Sequence, residues 1–194
     1  MLDVSVFDKK KALKRGPAVV LRKDFGAVVA FTGLGSGDVV IEAGSGSGWA
    51  TLMFANVVGK TGKVFSYEKR EEFFKIAKSN TDKMGFENVD FKVRDVTADG
   101  FEEKDADLVF LDFGGSQDAV IHAFSALKSK GWICGYLPNV EQMRTFTEKC
   151  TEAGFKVDKN ISFEAREWLV REQGTRPENV GLVHTAFLCF ARKP

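Results

Sequence analysis

The sequence predicts an α/β fold: a doubly wound, mostly parallel, seven-stranded sheet that finishes in an antiparallel C-terminal hairpin. Three observations carry this. Short β-branched runs alternate with stretches of helical apolar spacing, the pattern of parallel strands joined by crossover helices. A glycine-rich loop, "EAGSGSG" at residues 42–48, stands between the first such run and the helix after it. The last two strand-like segments, "FKVDKNISFEAREWLVRE" and "GLVHTAFLCFARKP", are joined by the polar loop "QGTRPEN" with no helix between them.

The elements follow in order. Residues 1–16 read as an extended arm or a short helix. "AVVLRKDFGAVVAFTGL" has apolar residues at helical spacing and stops at Gly33. "DVVIEAG" is a strand by its β-branched content. "SGWATLMFANVVG" is a helix closed by Gly59, and "GKVFSYE" is the second strand. "REEFFKIAKSNTDKMG" is an amphipathic helix ending at Gly85, with Phe73, Phe74 and Ile76 as core positions. "NVDFKVRD" is the third strand. "ADLVFLD" is the fourth, and its unbroken apolar run implies burial on both faces. The helix "QDAVIHAFSALKSKG", the strand "GWICGYLP" and the helix "NVEQMRTFTEKCTEAG" complete the alternation. Right-handed crossovers then fix the winding.

A chain of 194 residues is enough for one core and one domain. The formal net charge of +1 is small for a nucleic-acid binder. A local basic cluster, Lys9, Lys10, Lys11, Lys14, Arg15, Arg22 and Lys23, reads either as a solvated face or as a phosphate contact. No apolar run approaches the ~18 residues of a membrane span, and the start lacks a secretory pattern. Cys134, Cys150 and Cys189 are widely spaced and suggest no disulfide framework, which fits a reducing cytoplasm.

The glycine loop raises the question of a ligand. Gly44, Gly46 and Gly48 allow positive φ and close approach of a ligand to the backbone, and the following helix offers free N–H groups. The dinucleotide fingerprint would place a glycine at position 49, where this chain has Trp49. Nicotinamide and flavin cofactors are thereby disfavoured. Four successive strand ends carry Glu42, Glu68, Asp95 and Asp112. Glu68, about 20 residues past the loop, can accept from both hydroxyls of a ribose, and Asp95 from an adenine amine. Each acid alone could equally cap the next helix. A doubly wound sheet closed by a hairpin resembles the Rossmann-like fold of class I S-adenosylmethionine-dependent methyltransferases.

The chain further resembles the tRNA (adenine-58-N1) methyltransferases in their bacterial and archaeal single-polypeptide form. The resemblance runs through "RGPAVVLRKDFGAVVAFTGLGSGD", "EAGSGSG", "VFSYEKREEFFKIAKSN", "VRDVTADGF", "ADLVFLD", "GYLPNVEQM", "EAREWLVRE", "TRP" and "HTAFLCFARK". It implies a basic arm at 1–15 and a catalytic domain at 16–194. It implies cofactor contacts from Glu42, Gly44, Gly46, Ser47, Gly48, Glu68, Asp95 and Asp112. It also implies Glu68 at the ribose, Asp95 at the cofactor adenine and Asp112 beside the target adenine. Tyr136 would shape the target pocket. The chemistry calls for no metal, and His122 and His184 are not needed as bases. The implied partners are tRNA and further copies in a homotetramer, with Trp168 at an interface, or a separate RNA-binding subunit.

Two departures stand out. The family follows its fourth-strand aspartate with a proline-rich D-x-P-x-P-W segment, whereas this chain has Gly114, Gly115, Ser116 and Gln117. Glycines make a looser wall than prolines. The family also carries a small β-rich domain ahead of "RGP", where this sequence has only about 15 residues. Two other functions compete: a small-molecule methyltransferase of the precorrin type, to which "FGGSQ" is similar, and a non-catalytic RNA-binding or partner subunit.

Overall fold

A computed structural model describes residues 13–16, 19–179, 181 and 184–194. The expectations for residues 1–12, including Lys9, Lys10 and Lys11, lie outside them. Chain order is α1 (Arg22–Thr32), β1 (Val39–Ala43), α2 (Trp49–Val58), β2 (Lys63–Glu68), α3 (Glu71–Met84), β3 (Val89–Val93), α4 (Val96–Asp99) and β4 (Ala106–Leu111). A 3₁₀ turn (Ser116–Ala119) leads into α5 (Val120–Ala126), β5 (Leu127–Leu137), α6 (Val140–Glu152) and β6 (Lys156–Ile161). A two-residue ribbon, β7 (Trp168–Leu169) with β8 (Arg176–Pro177), precedes β9 (Phe187–Arg192).

The main sheet has seven strands in the order β3-β2-β1-β4-β5-β9-β6. The first five are mutually parallel, and β9 runs antiparallel to both neighbours. The expected architecture is therefore present. Its cause is visible in the strand alternation. Val40, Leu108 and Phe110 pack into one apolar cluster with Phe25 and Val28 of α1 and Met53 and Phe54 of α2. Ile41, Val109 and Leu111 pack into a second cluster with Val120 and Ala123 of α5 and Phe146 of α6. Side chains alternate across a strand, so a run apolar at every position needs a helical layer on each face. Each large side chain so buried stabilises the fold by about 1.5–3 kcal/mol.

Glycines stop the helices. Gly33 and Gly85 follow α1 and α3 at φ 72° and 73°, the left-handed conformation that closes a helix C-terminus. α2 ends at Gly59, as expected.

Two expectations are corrected, and one element was not anticipated. The helix predicted from Gln117 to Gly131 ends at Ala126, and β5 begins at Leu127. Residues 127–131 join the sheet because the tail reaches back: Lys130 N–H donates to the Lys193 carbonyl, and Lys193 N–H donates to the Gly131 carbonyl. The register slips between Ala106↔Leu127 and Leu108↔Trp132, with Lys130 at φ 65° in the bulge. The final strands are also shorter than predicted. β9 is buried at Leu188, Cys189, Phe190 and Ala191, and only this run finds partners on both sides. The charged stretch Glu164–Glu167 leaves the sheet instead. Lastly, α4 is a single turn that no periodicity announced.

Candidate active site

The C-terminal ends of β1, β2, β3 and β4 surround a cleft of about 240 Å³. Open α/β sheets bind ligands at this edge. Its lining includes Gly44, Tyr67, Glu68, Asp95, Asp112, Phe113 and Gly114, with Lys69, Arg70 and Arg94 alongside.

Gly44 has to be glycine. Its φ is 92°, and a Cβ there would stand 2.1 Å from the Asp112 carbonyl oxygen. The β4 backbone thus passes directly over the loop, and Asp112 N–H donates to the Ala43 carbonyl at 2.9 Å. Gly46 N–H donates to Glu68 Oε2 at 3.0 Å. Gly48 caps α2 at φ 79° and lies against α3, where its Cβ would come within 3.1 Å of Ala77 Cα. Ser47 is buried, and its carbonyl accepts from Asn80 Nδ2 at 2.8 Å. Of the four loop residues singled out from sequence, Gly44 lines the cleft, while Gly46, Ser47 and Gly48 shape the loop behind it.

Asn80 was missed by sequence reasoning. This fully buried amide on α3 also donates to the Lys14 carbonyl at 2.8 Å and accepts from Lys14 N–H at 3.0 Å. It fastens the incoming chain and the glycine loop to one helix. A polar residue on an amphipathic helix carries no signal that it faces inward.

The four acids take different positions. Glu68 is buried; its Oε1 accepts from Arg70 N–H at 3.1 Å and Arg70 Nε at 3.2 Å. Asp95 caps α4 by accepting from Thr97 N–H at 3.1 Å and the Thr97 hydroxyl at 2.7 Å. Those bonds hold its carboxyl below the ordinary value. The capping and ligand-lining readings therefore coexist at Asp95. Glu42 lies beneath the loop and outside the cleft lining, where it accepts from the Thr51 hydroxyl at 2.5 Å and the Ser66 hydroxyl at 2.7 Å. Burial pushes its carboxyl up to about 7 against the pull of those hydroxyls. Asp112 has its carboxyl raised to about 7 by burial first and by the charge of Glu42 second. Among the described residues none donates a hydrogen bond to the Asp112 carboxylate.

These residues fit a cationic adenosyl cofactor. Gly44 leaves a cradle that a Cβ would fill. Glu68, Asp95 and Asp112 supply acceptors for ribose hydroxyls, an aromatic amine and a positive centre.

Tyr136 of β5, on the strand beside β4, lies outside the cleft lining, and it donates its hydroxyl proton to Asp24 Oδ2 at 3.3 Å. Burial raises the phenol well above its ordinary value, and the charges of Asp24 and Asp112 add to this. Asp24 and its partner Thr185 carried no sequence signal, because an acid in the first turn of a helix is ordinary, and Lys23 was read only as part of the basic cluster. Lys23 corrects the reading of the basic cluster. It points inward and is bound to Asp24 Oδ1 at 2.6 Å, with its side chain 16% exposed. His184 Nε2 lies 2.9 Å from the Pro138 carbonyl and its ring packs on Phe187, while His122 Nε2 lies 3.3 Å from the Thr97 carbonyl. Neither histidine lines the cleft.

The sheet order, the loop cradle and the row of strand-end carboxylates define a class I S-adenosylmethionine-dependent methyltransferase. Residues 11–186 match the model of the family described as tRNA methyltransferase complex GCD14 subunit, and the chain belongs to that family. It is 34% identical over its whole length to the tRNA (adenine(57)-N(1)/adenine(58)-N(1))-methyltransferase TrmI of Methanocaldococcus jannaschii, covering 78% of that protein. It is 34% identical over 93% of its length to the tRNA (adenine(58)-N(1))-methyltransferase TrmI of Thermus thermophilus, covering 71% of it. Among solved structures, a SAM-dependent O-methyltransferase from Thermotoga maritima superposes with a TM-score of 0.90 at 35% identity, over 98% of this chain and 71% of that one.

Proposed function

We propose that this protein transfers a methyl group from S-adenosylmethionine to N1 of an adenine in tRNA. The observation that carries this reading is the Asp112 carboxylate, half-buried at the cleft with no donor among the described residues, in a chain of this family. The names of both TrmI relatives include adenine 58, so that position is the first to examine.

The bound cofactor supplies an electrophilic methyl group. Glu68 would hold the ribose end, and Asp95 would accept from the cofactor's adenine. Gly44 lets the backbone approach, while Gly46, Ser47, Gly48 and Glu42 keep the loop in shape. Adenine N1 would attack the methyl carbon with its in-plane lone pair; as the N1–C bond forms the C–S bond breaks, neutral S-adenosylhomocysteine leaves, and the positive charge passes to the base. The ionised Asp112 accepts from the exocyclic amine, which orients N1 and stabilises that charge. Tyr136 confines the base on the β5 side. Alignment of nucleophile and methyl group supplies the rest of the acceleration.

A hydroxyl acceptor is the second reading, favoured by the O-methyltransferase name of the Thermotoga protein. It would use Asp112 as a base toward the hydroxyl proton. The assembly in this proposal is a homotetramer in the cytoplasm, with residues 16–194 as its catalytic unit and the arm at 1–15 or a partner subunit holding RNA. Exposed Trp168 and Val170 on the ribbon segment support a subunit contact there.

The test is incubation with labelled S-adenosylmethionine and an unmodified tRNA pool, followed by nucleoside mass analysis. The expected product is 1-methyladenosine. A ribose-methylated nucleoside would favour the second reading, and no methylated nucleoside with cofactor still bound would refute the tRNA assignment.

A further inference from the structure

Lys23, Asp24 and Thr185 form a part-buried polar node that the transfer step above does not use. Asp24 is fully buried on α1. Its Oδ1 accepts from Lys23 Nζ at 2.6 Å, and its Oδ2 accepts from the Thr185 hydroxyl at 2.8 Å and the Tyr136 hydroxyl at 3.3 Å. Lys23 Nζ donates further to the Phe163 carbonyl at 2.6 Å and the Thr185 hydroxyl at 2.7 Å, so all three of its protons have acceptors. Phe163 and Thr185 stand near the two ends of the segment that leaves the sheet after β6 and returns at β9. One ammonium therefore ties both ends to α1, and the carboxylate beside it holds the phenol. The Tyr136 ring lies 6.3 Å from that of Phe110, two residues before Asp112.

We propose that Lys23, Asp24 and Thr185 are positioning residues for the methyl acceptor: they fix the Tyr136 phenol beside Asp112 by tying α1, β5 and both ends of the 162–186 segment into one node. This rests on the reading of Asp112 and Tyr136 as the acceptor side of the site. Taking an ion pair out of water is costly, and a fully satisfied network returns that cost as a single fixed geometry. Phenol, carboxylate and ammonium each have one arrangement here, so the phenol has one orientation.

The test uses the full chain and the variants Asp24→Asn, Thr185→Val, Thr185→Ser and Tyr136→Phe. Asp24→Asn and Thr185→Val are each expected to lower kcat on tRNA about tenfold, the size of one lost charge-assisted hydrogen bond. The Kd for S-adenosylmethionine should stay unchanged, and Thr185→Ser should restore kcat. Adding Asp24→Asn to Tyr136→Phe should cost less than about twofold more, because the two act through one contact. Losses that multiply, a wild-type kcat in folded Thr185→Val, or cofactor Kd rising in step with the loss would overturn the proposal. Should Asp24→Asn fail to fold, the Thr185 pair carries the same comparison. The chain has two tyrosines, so Raman spectra in a Tyr67→Phe background report Tyr136 alone. Asp24→Asn or Thr185→Val should shift its doublet away from the strong-donor pattern. That shift without any tRNA methylation by the wild type would sink the acceptor reading and leave the node standing. An unshifted doublet would sink the node whatever the activity.

Discussion

A buried carboxylate, Glu42, and a half-buried one, Asp112, sit close enough to repel each other, yet they are solvated differently. Glu42 has two hydroxyl donors, and Asp112 has no donor among the described residues. Asp112 is the one left to receive a donor from a substrate. Its carboxyl rises from 3.8 to about 7, so below that pH it is a neutral acid, and only above it does it carry the charge that stabilises a cationic base. Accordingly, kcat/KM for tRNA should rise with pH to a plateau above about 7. The stability consequence has the opposite sign. An acid raised in the folded state contributes stability that is full below its unfolded value, near 4, and is lost as the pH climbs through 7. Asp112→Asn should therefore stabilise the protein at pH 8 by on the order of 2 kcal/mol and leave it unchanged at pH 4, as read by urea unfolding. At this scale the sequence exposed the four acids, because strand ends can be counted. It did not expose Lys23, Asp24, Thr185 or Asn80, whose roles depend on partners up to 162 positions away.

The glycine loop is held by its neighbouring elements as much as by its own conformation. β4 presses on Gly44, α3 presses on Gly48, and Asn80 of α3 holds Ser47 and Lys14 together. Gly44→Ala combines positive φ with a backbone clash and should cost about 3 kcal/mol or more and abolish cofactor binding in calorimetry. Gly114→Ala is the control: a Cβ there meets nothing within 4 Å, and the cost should stay within about 0.5 kcal/mol. Asn80→Ala removes three buried hydrogen bonds and should cost about 2 kcal/mol and weaken cofactor binding several-fold, measured on the same instruments. Elements with their own period were legible: α2, α3, α6 and β1 to β4 stand where the pattern put them, and α1 ends where expected but begins only at Arg22. The first five residues of β5 were not, because the tail at Lys193 draws them into the sheet. The ribbon segment was not either, because its alternation is apolar without a partner layer to bury it.

For the whole molecule, the decisive feature is that two apolar layers clamp a parallel sheet and leave one edge lined with carboxylates and a bare loop. β1 and β4 are buried on both faces beneath this edge, and Glu68, Asp95 and Asp112 gather on it because each stands at or just past the end of a strand. The ribbon segment is the opposite case, with Trp168 60% and Val170 80% exposed. In the tetramer proposed above, light scattering should give about four times the 21.4 kDa chain mass. Val170→Glu should lower that mass with secondary structure intact.

The account turns on the carboxylate at the end of β4. The measurement that tests it most directly is the single-turnover rate of 1-methyladenosine formation by Asp112→Asn, with cofactor affinity determined on the same preparation. The predicted result is a rate reduced at least a hundredfold with cofactor Kd within about threefold of wild type. A wild-type rate in that variant would show that the reaction does not run through Asp112, and would contradict the account.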